Sequence, residues 1–152
     1  MKRILRATNY PNLYELSLCN IEGQSVIDLF SDETLFTCTL KNRISSLVIG
    51  ISGNEARRST REVNALLFMH VCNTFTNIRY IDFSPSSIWY QRLIFFGISL
   101  PTVVSSTLLE LHAYLDTFTD CLYLLDEQFN QLHTLDVNID VILSSRFTNN
   151  NQ

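Results

Sequence analysis

His112 has the strongest claim to chemistry of any residue in this chain, because an imidazole changes charge near neutral pH and what faces it decides its role. Aligning the chain on the apolar frame described below sets His112 between Asp82 and Asp136, each roughly 4.8 Å away on a neighbouring strand. Two carboxylates at that distance favour the imidazolium and raise its pKa. Such a patch suits pH sensing or a basic ligand. The plainer alternative is a polar surface whose charges are solvated, since exposed ion pairs are worth about 0–1 kcal/mol. Other candidates fall away on spacing. Gly50-Ile51-Ser52-Gly53 is one residue short of a G-x-S-x-G elbow. His70 and Cys72, two apart on a helix, face different ways and make no nucleophile–base pair. Four glycines leave no Gly-rich phosphate cradle. Cys19, Cys38, Cys72 and Cys121 contain no C-x-x-C pair, so no zinc site is expected. The residues point to a chain without catalysis, cofactor or metal.

The elements that would position His112 follow from a repeated frame. Leu13, Leu16 and Leu18 are spaced L-x-x-L-x-L, with Asn20 at the eighth position, the pattern of the short strand of a leucine-rich repeat. The frame returns at Ile44, Leu47 and Ile49; at Ile78, Ile81 and Phe83; at Leu108, Leu111 and Ala113; and at Leu132, Leu135 and Val137. Strands are expected near 13–19, 44–50, 78–84, 108–114 and 132–138, within one domain over 1–147 and a disordered tail at 148–152. The expected fold is α/β, a leucine-rich-repeat solenoid of about five irregular repeats, with a curved parallel sheet on the concave side and helices on the convex side. Residues alternating with the frame then point outward in three rows. The first is Glu15, Ser46, Tyr80, Glu110 and Thr134. The second is Ser17, Val48, Asp82, His112 and Asp136, and the third is Cys19, Gly50, Ser84, Tyr114 and Asn138. A protein ligand would meet Glu15, Ser17, Tyr80, Asp82, Glu110, His112, Tyr114 and Asp136.

Between the strands the period changes to that of a helix. From Ser59, the residues Val63, Leu66, Leu67, His70, Val71 and Phe75 form one stripe, with Ser59 and Glu62 as a capping box. Val26, Leu29 and Phe30 predict two turns after the first strand. Ser86 or Ser87 would cap a helix presenting Ile88, Trp89, Leu93 and Phe96 and ended by Gly97, and Thr119 one carrying Leu122, Leu124 and Leu125. Cys72 and Cys121 read as small packing residues.

Composition narrows the class further. Hydrophobic residues make up 46% and charged residues 17%, an ordinary globular balance. The net charge of −4 is uneven, because residues 93–152 hold only Arg146 against seven acids. That half is a poor surface for nucleic acid or anionic lipid. The longest apolar run, Leu93–Val104, is broken by Gly97, Ser99, Pro101 and Thr102 and is too short to span a bilayer. Met1–Tyr10 lacks the apolar core of a signal peptide, so an intracellular, cytoplasmic protein with reduced thiols is expected.

The segments Asn77–Leu93 (NIRYIDFSPSSIWYQRL) and Ser105–Ile139 (SSTLLELHAYLDTFTDCLYLLDEQFNQLHTLDVNI) carry a family resemblance. The chain resembles the leucine-rich-repeat region of F-box-like (F-box/LRR) proteins. That resemblance implies a repeat region that holds a substrate protein for ubiquitination, while an F-box docks on an adaptor of a cullin ubiquitin ligase. The F-box itself is absent, since Met1–Asn12 is too short to hold one, so the adaptor–cullin contact needs an F-box outside this chain. An orphan structural fragment of a longer solenoid, without independent activity, is the alternative.

Overall fold

Strands form where apolar and polar residues alternate, and helices where the apolar spacing widens to three and four. The structure, a computed structural model, describes residues 12–31, 40–51, 59–83, 91–95, 105–126 and 129–141. Among these residues six strands run β1 (Glu15–Ile21), β2 (Ser46–Ile51), β3 (Tyr80–Asp82), β4 (Arg92–Leu93), β5 (Glu110–Thr117) and β6 (Thr134–Val141). Helices α1 (Gly23–Ser31), α2 (Ser59–Thr74) and α3 (Phe118–Leu125) alternate with them. All strand pairs are parallel, in the order β1-β2-β3-β5, with β6 on the far edge of β5. The fold is thus α/β with one parallel sheet.

A single hydrogen-bond arrangement recurs at each step. The carbonyl of Tyr14 accepts from the N–H groups of both Ser45 and Ser46, at 2.9 and 3.1 Å. Ser45 accepts likewise from Arg79 and Tyr80, Arg79 from Leu109 and Glu110, and Leu109 from His133 and Thr134. These shared carbonyls lock equivalent residues of successive strands into line. Glu15, Ser46, Tyr80, Glu110 and Thr134 are register partners in sequence, and so are Ser17, Val48, Asp82, His112 and Asp136. The first two outward rows read from the sequence are therefore the rows of the sheet. All fifteen frame residues lie in the hydrophobic core or pack against it.

The third row departs from expectation. The chain advances ten residues from Asp82 to Arg92 while β5 advances two, from His112 to Tyr114, an insertion of eight residues. Since β6 holds one edge of β5, β3 and β4 share the other as two halves of an interrupted strand. Arg92 is the register partner of Tyr114, and Ser84, expected in that row, lies outside the described residues. Leu93, expected in a helix, is in β4 and fully buried. Where β3 leaves β2, Gln91 takes over: its Oε1 accepts from the Ile51 N–H at 3.0 Å and its Nε2 donates to the Ile49 carbonyl. A side-chain amide presents the same donor and acceptor as a peptide, and so continues the ladder.

Two helices also correct the sequence reading. α2 begins at Ser59 as expected, but Leu66 is 45% exposed while Asn64, Ala65, Phe68, Met69 and Cys72 are buried. Phe68 sits at the centre, its ring 6.2 Å from Phe83, 5.9 Å from Phe95 and 5.9 Å from Phe129. Asn64 Nδ2 donates to the Arg92 carbonyl at 3.2 Å, tying α2 to β4. α3 is capped by Thr117, not Thr119: Thr117 Oγ1 accepts from the Asp120 N–H, and the Asp120 carboxylate accepts from the Thr117 N–H. Asp120 is fully buried and also accepts from Phe95 N–H at 2.6 Å, joining α3 to the chain after β4. Val26, Leu29 and Phe30 are buried on α1 as expected, and Asn20 takes the left-handed φ of 56° where the β1 register shifts. The capping side chains Ser59 and Glu62, Cys38, the 86–90 and 96–97 positions of the expected third helix, and the tail lie outside the described residues.

Gln91 supplies a stability test. Gln91→Leu strands a buried carbonyl and an N–H, and unfolding in urea should show a loss of about 2–4 kcal/mol. Gln91→Glu places a carboxylate against the Ile49 carbonyl and should be as damaging at pH 7. Unlike the leucine variant, it should regain stability on acidification, because a protonated carboxyl donates and accepts as the amide does.

Candidate functional site

The outward side of the sheet presents two linked polar clusters. The first is centred on His112. Its Nε2 lies 2.7 Å from Glu110 Oε1, and its Nδ1 lies 3.2 Å from Asp136 Oδ2. Period two places Glu110 and His112 on the same side of β5, and the register brings Asp136 of β6 opposite. The Tyr80 ring of β3 packs diagonally on the imidazole, with centroids 5.4 Å apart. Asp82 is the register partner of His112 on β3, but the second carboxylate on the ring is Glu110 of the same strand. Asp136 fills the role read for it; Glu110 fills the role read for Asp82.

A carboxylate can only accept, so both ring nitrogens donate together only as imidazolium. The His112 pKa is accordingly raised, first by the hydrogen bond to Glu110, then by that to Asp136 and the charges of both, against the opposing effect of burial. Burial raises the Tyr80 hydroxyl pKa as well, reinforced by the charges of Asp82 and Glu110.

The second cluster went unread in the sequence. Arg92 Nη1 lies 3.2 Å from Asp116 Oδ1 and 2.6 Å from Asp140 Oδ2, so one guanidinium spans β4, β5 and β6. Tyr114 and its register partner Asn138 stand between the two clusters. Asp116 and Asp140 could have been found by carrying the outward alternation one step past the frame on β5 and β6. Arg92 could not, because the eight inserted residues hide its register. Glu15 and Ser17 lie at the other end of the sheet on β1, both exposed, with Ser17 Oγ 3.3 Å from the Sγ of exposed Cys19. Thus all eight residues read as binding candidates are on one face, and Tyr80, Glu110, His112 and Asp136 touch as a group.

The arrangement can hold charge and accept hydrogen bonds. Among the described residues no group of three or more His, Cys, Asp or Glu side chains is placed to hold a metal ion. Cys72 and Cys121 are buried, and burial raises both thiol pKa values. No helix among the described residues is long and apolar enough to cross a membrane. Comparison with protein-family models, curated proteins and solved structures finds no match.

The clamp on His112 makes stability depend on pH. Its folded pKa is raised above the ordinary 6.5, so its contribution is complete below pH 6.5 and disappears as pH rises through the folded value. NMR titration should place His112 above 6.5, and the urea midpoint should fall across that window. In His112→Gln that part of the slope should vanish; an unchanged slope contradicts the clamp.

Proposed function

We propose that this chain is a non-catalytic protein-interaction module whose outward sheet face grips a basic segment of a partner protein. The observation that carries the reading is the register that gathers Tyr80, Asp82, Glu110, His112, Tyr114 and Asp136 on one surface. Asp116 and Asp140 extend its acidity, against the cations Arg92 and His112. Aromatic rings among carboxylates suit Arg and Lys side chains, which stack on the first and pair with the second.

In this reading the strand–helix units are leucine-rich repeats, about five in a solenoid with the acidic face on its concave side. The shared-carbonyl arrangement at four successive steps, the common register and the fifteen core-packed frame residues support that architecture. On the resemblance to F-box-like proteins, the module would be the substrate-recognition repeats of a cytoplasmic ubiquitin-ligase receptor, with an adaptor–cullin contact only if an F-box lies outside this chain.

Two measurements test the two levels of the proposal. Arg-rich peptides should bind the chain with an affinity that falls with salt, and Asp82→Lys or Tyr80→Ala should weaken binding by about tenfold or more. Binding that is indifferent to both substitutions contradicts the face assignment. Affinity purification of the full-length gene product should recover the adaptor and cullin. Their absence removes the ligase role and leaves the binding module standing.

A further inference from the structure

A second surface lies at the β6 end of the sheet. Among the described residues β6 pairs on one side only, with β5, over its whole length. Its core-side residues Leu135, Val137 and Ile139 are only partly buried, whereas their counterparts Leu111, Ala113 and Leu115 on β5 are 0–1% exposed. Beside them α3 carries Phe118, Leu122 and Leu125 at 52%, 51% and 58% exposure.

These three side chains have a direction. Helical residues turn by about 100° each, so Phe118, Leu122 and Leu125 form one stripe. The core flank is Asp120, Cys121 and Leu124. Tyr123 stacks on Phe95, centroids 5.0 Å apart, which marks the side of the preceding unit. The exposed stripe lies on the flank away from Tyr123, toward the open edge of β6. A strand added there would drive its core-side residues between Leu135, Val137 and Ile139 and the stripe. Its outward residues would stand beside Asp136 and Asp140, which are 68% and 47% exposed.

The exposed charges identify the occupant. Two β6 edges brought together would oppose carboxylates, which disfavours a symmetric pair of copies. The β1 end of a second copy fits poorly, since the exposed residues of α1 are the hydrogen-bonded pair Gln24 and Asp28, not an apolar counterpart to the stripe. We infer that the open edge of β6, together with the Phe118–Leu122–Leu125 stripe, receives an extended segment of a partner protein in which basic and apolar residues alternate. The segment adds a strand: its backbone bonds to β6, its Arg or Lys side chains meet Asp136 and Asp140, and its apolar side chains cover Leu122 and its neighbours. This surface shares Asp136 and Asp140 with the face assigned above, but rests on a separate observation, the edge of β6 and its apolar stripe.

The test uses the full chain and a fluorescent peptide of about eight alternating Arg and Val residues, long enough to match β6. Anisotropy should show saturable binding, weakened at least about tenfold by Asp140→Lys and by Leu122→Glu, both at exposed positions. Peptide N-methylated on the amides that pair with β6, or with Glu in place of Arg, should not bind. Absence of binding, or binding that survives N-methylation or is indifferent to Asp140→Lys and Leu122→Glu, overturns the inference. A concentration-dependent dimer in sedimentation velocity that Leu122→Glu dissolves also overturns it, assigning the face to a second copy. Loss with Tyr80→Ala alone returns the peptide to the acidic face and refutes the edge site while sparing the function proposed above.

Discussion

One carbonyl oxygen shared by two successive N–H groups is the joint on which the sheet depends. It occurs just before the strand at each of four steps, at Tyr14, Ser45, Arg79 and Leu109. A carbonyl has two lone pairs, so both donors are satisfied without a third partner. Fixing the strand entry fixes the register, and in a structure of period two a slip of one residue would send every frame side chain to the solvent face. The joint and the frame therefore enforce each other. A fully buried Leu, Ile or Phe contributes about 1.5–3 kcal/mol, and from Ile44 to Ala113 the frame residues are almost completely buried. The same joint carries the outward rows, so the alignment of His112 with Asp136 is a consequence of backbone geometry near the strand starts.

Gln91 shows what the joint cannot do alone. Among the described residues the β2–β3 pairing ends at Asp82, and without Gln91 the Ile49 carbonyl and the Ile51 N–H would lose the bonds it makes to them. Unsatisfied buried groups cost about 1–3 kcal/mol each. One amide side chain answers both, and β4 then resumes pairing with β5 in the place β3 vacated. Asn64 and Asp120 hold the resumed segment from behind, through the Arg92 carbonyl and the Phe95 N–H. Three polar side chains, all buried, thus stitch an insertion into a sheet whose continuity is otherwise main-chain.

How much of this was legible depends on the range of the interaction that decides it. The frame and two outward rows could be read because they rest on a local period repeated five times. The interrupted third strand could not. Leu93 reads with Ile88, Trp89 and Phe96 as a helical stripe in the sequence, and only β5, some twenty residues on, reveals that Leu93 belongs to the sheet. Leu66 misled for a related reason: α2 is buried on more than one flank, so its burial follows its neighbours instead of one stripe. Thr117 outranked Thr119 as the cap because Asp120, three residues on, completes the reciprocal pair, a signal present in the sequence. In the site, Glu110 beside His112 was equally readable as two residues of one strand face. Arg92 needed the insertion to be known first.

The charge imbalance in the second half of the chain acquires a spatial meaning from the alternation. Glu110 and Asp116 on β5 and Asp136 and Asp140 on β6 all fall on the outward parity, while Asp120 is consumed as a buried cap. Four of the seven acids beyond residue 92 are thereby concentrated on two adjacent strands. Like charges on neighbouring strands repel, and only cations between them keep the face quiet. Arg92 does so permanently, by bridging Asp116 and Asp140. His112 does so conditionally, since losing one proton leaves a ring nitrogen lone pair facing a carboxylate. The net negative charge of this face therefore grows as His112 deprotonates, even as the contact between β5 and β6 weakens. The charge of the face and the cohesion of the sheet are coupled through one imidazole.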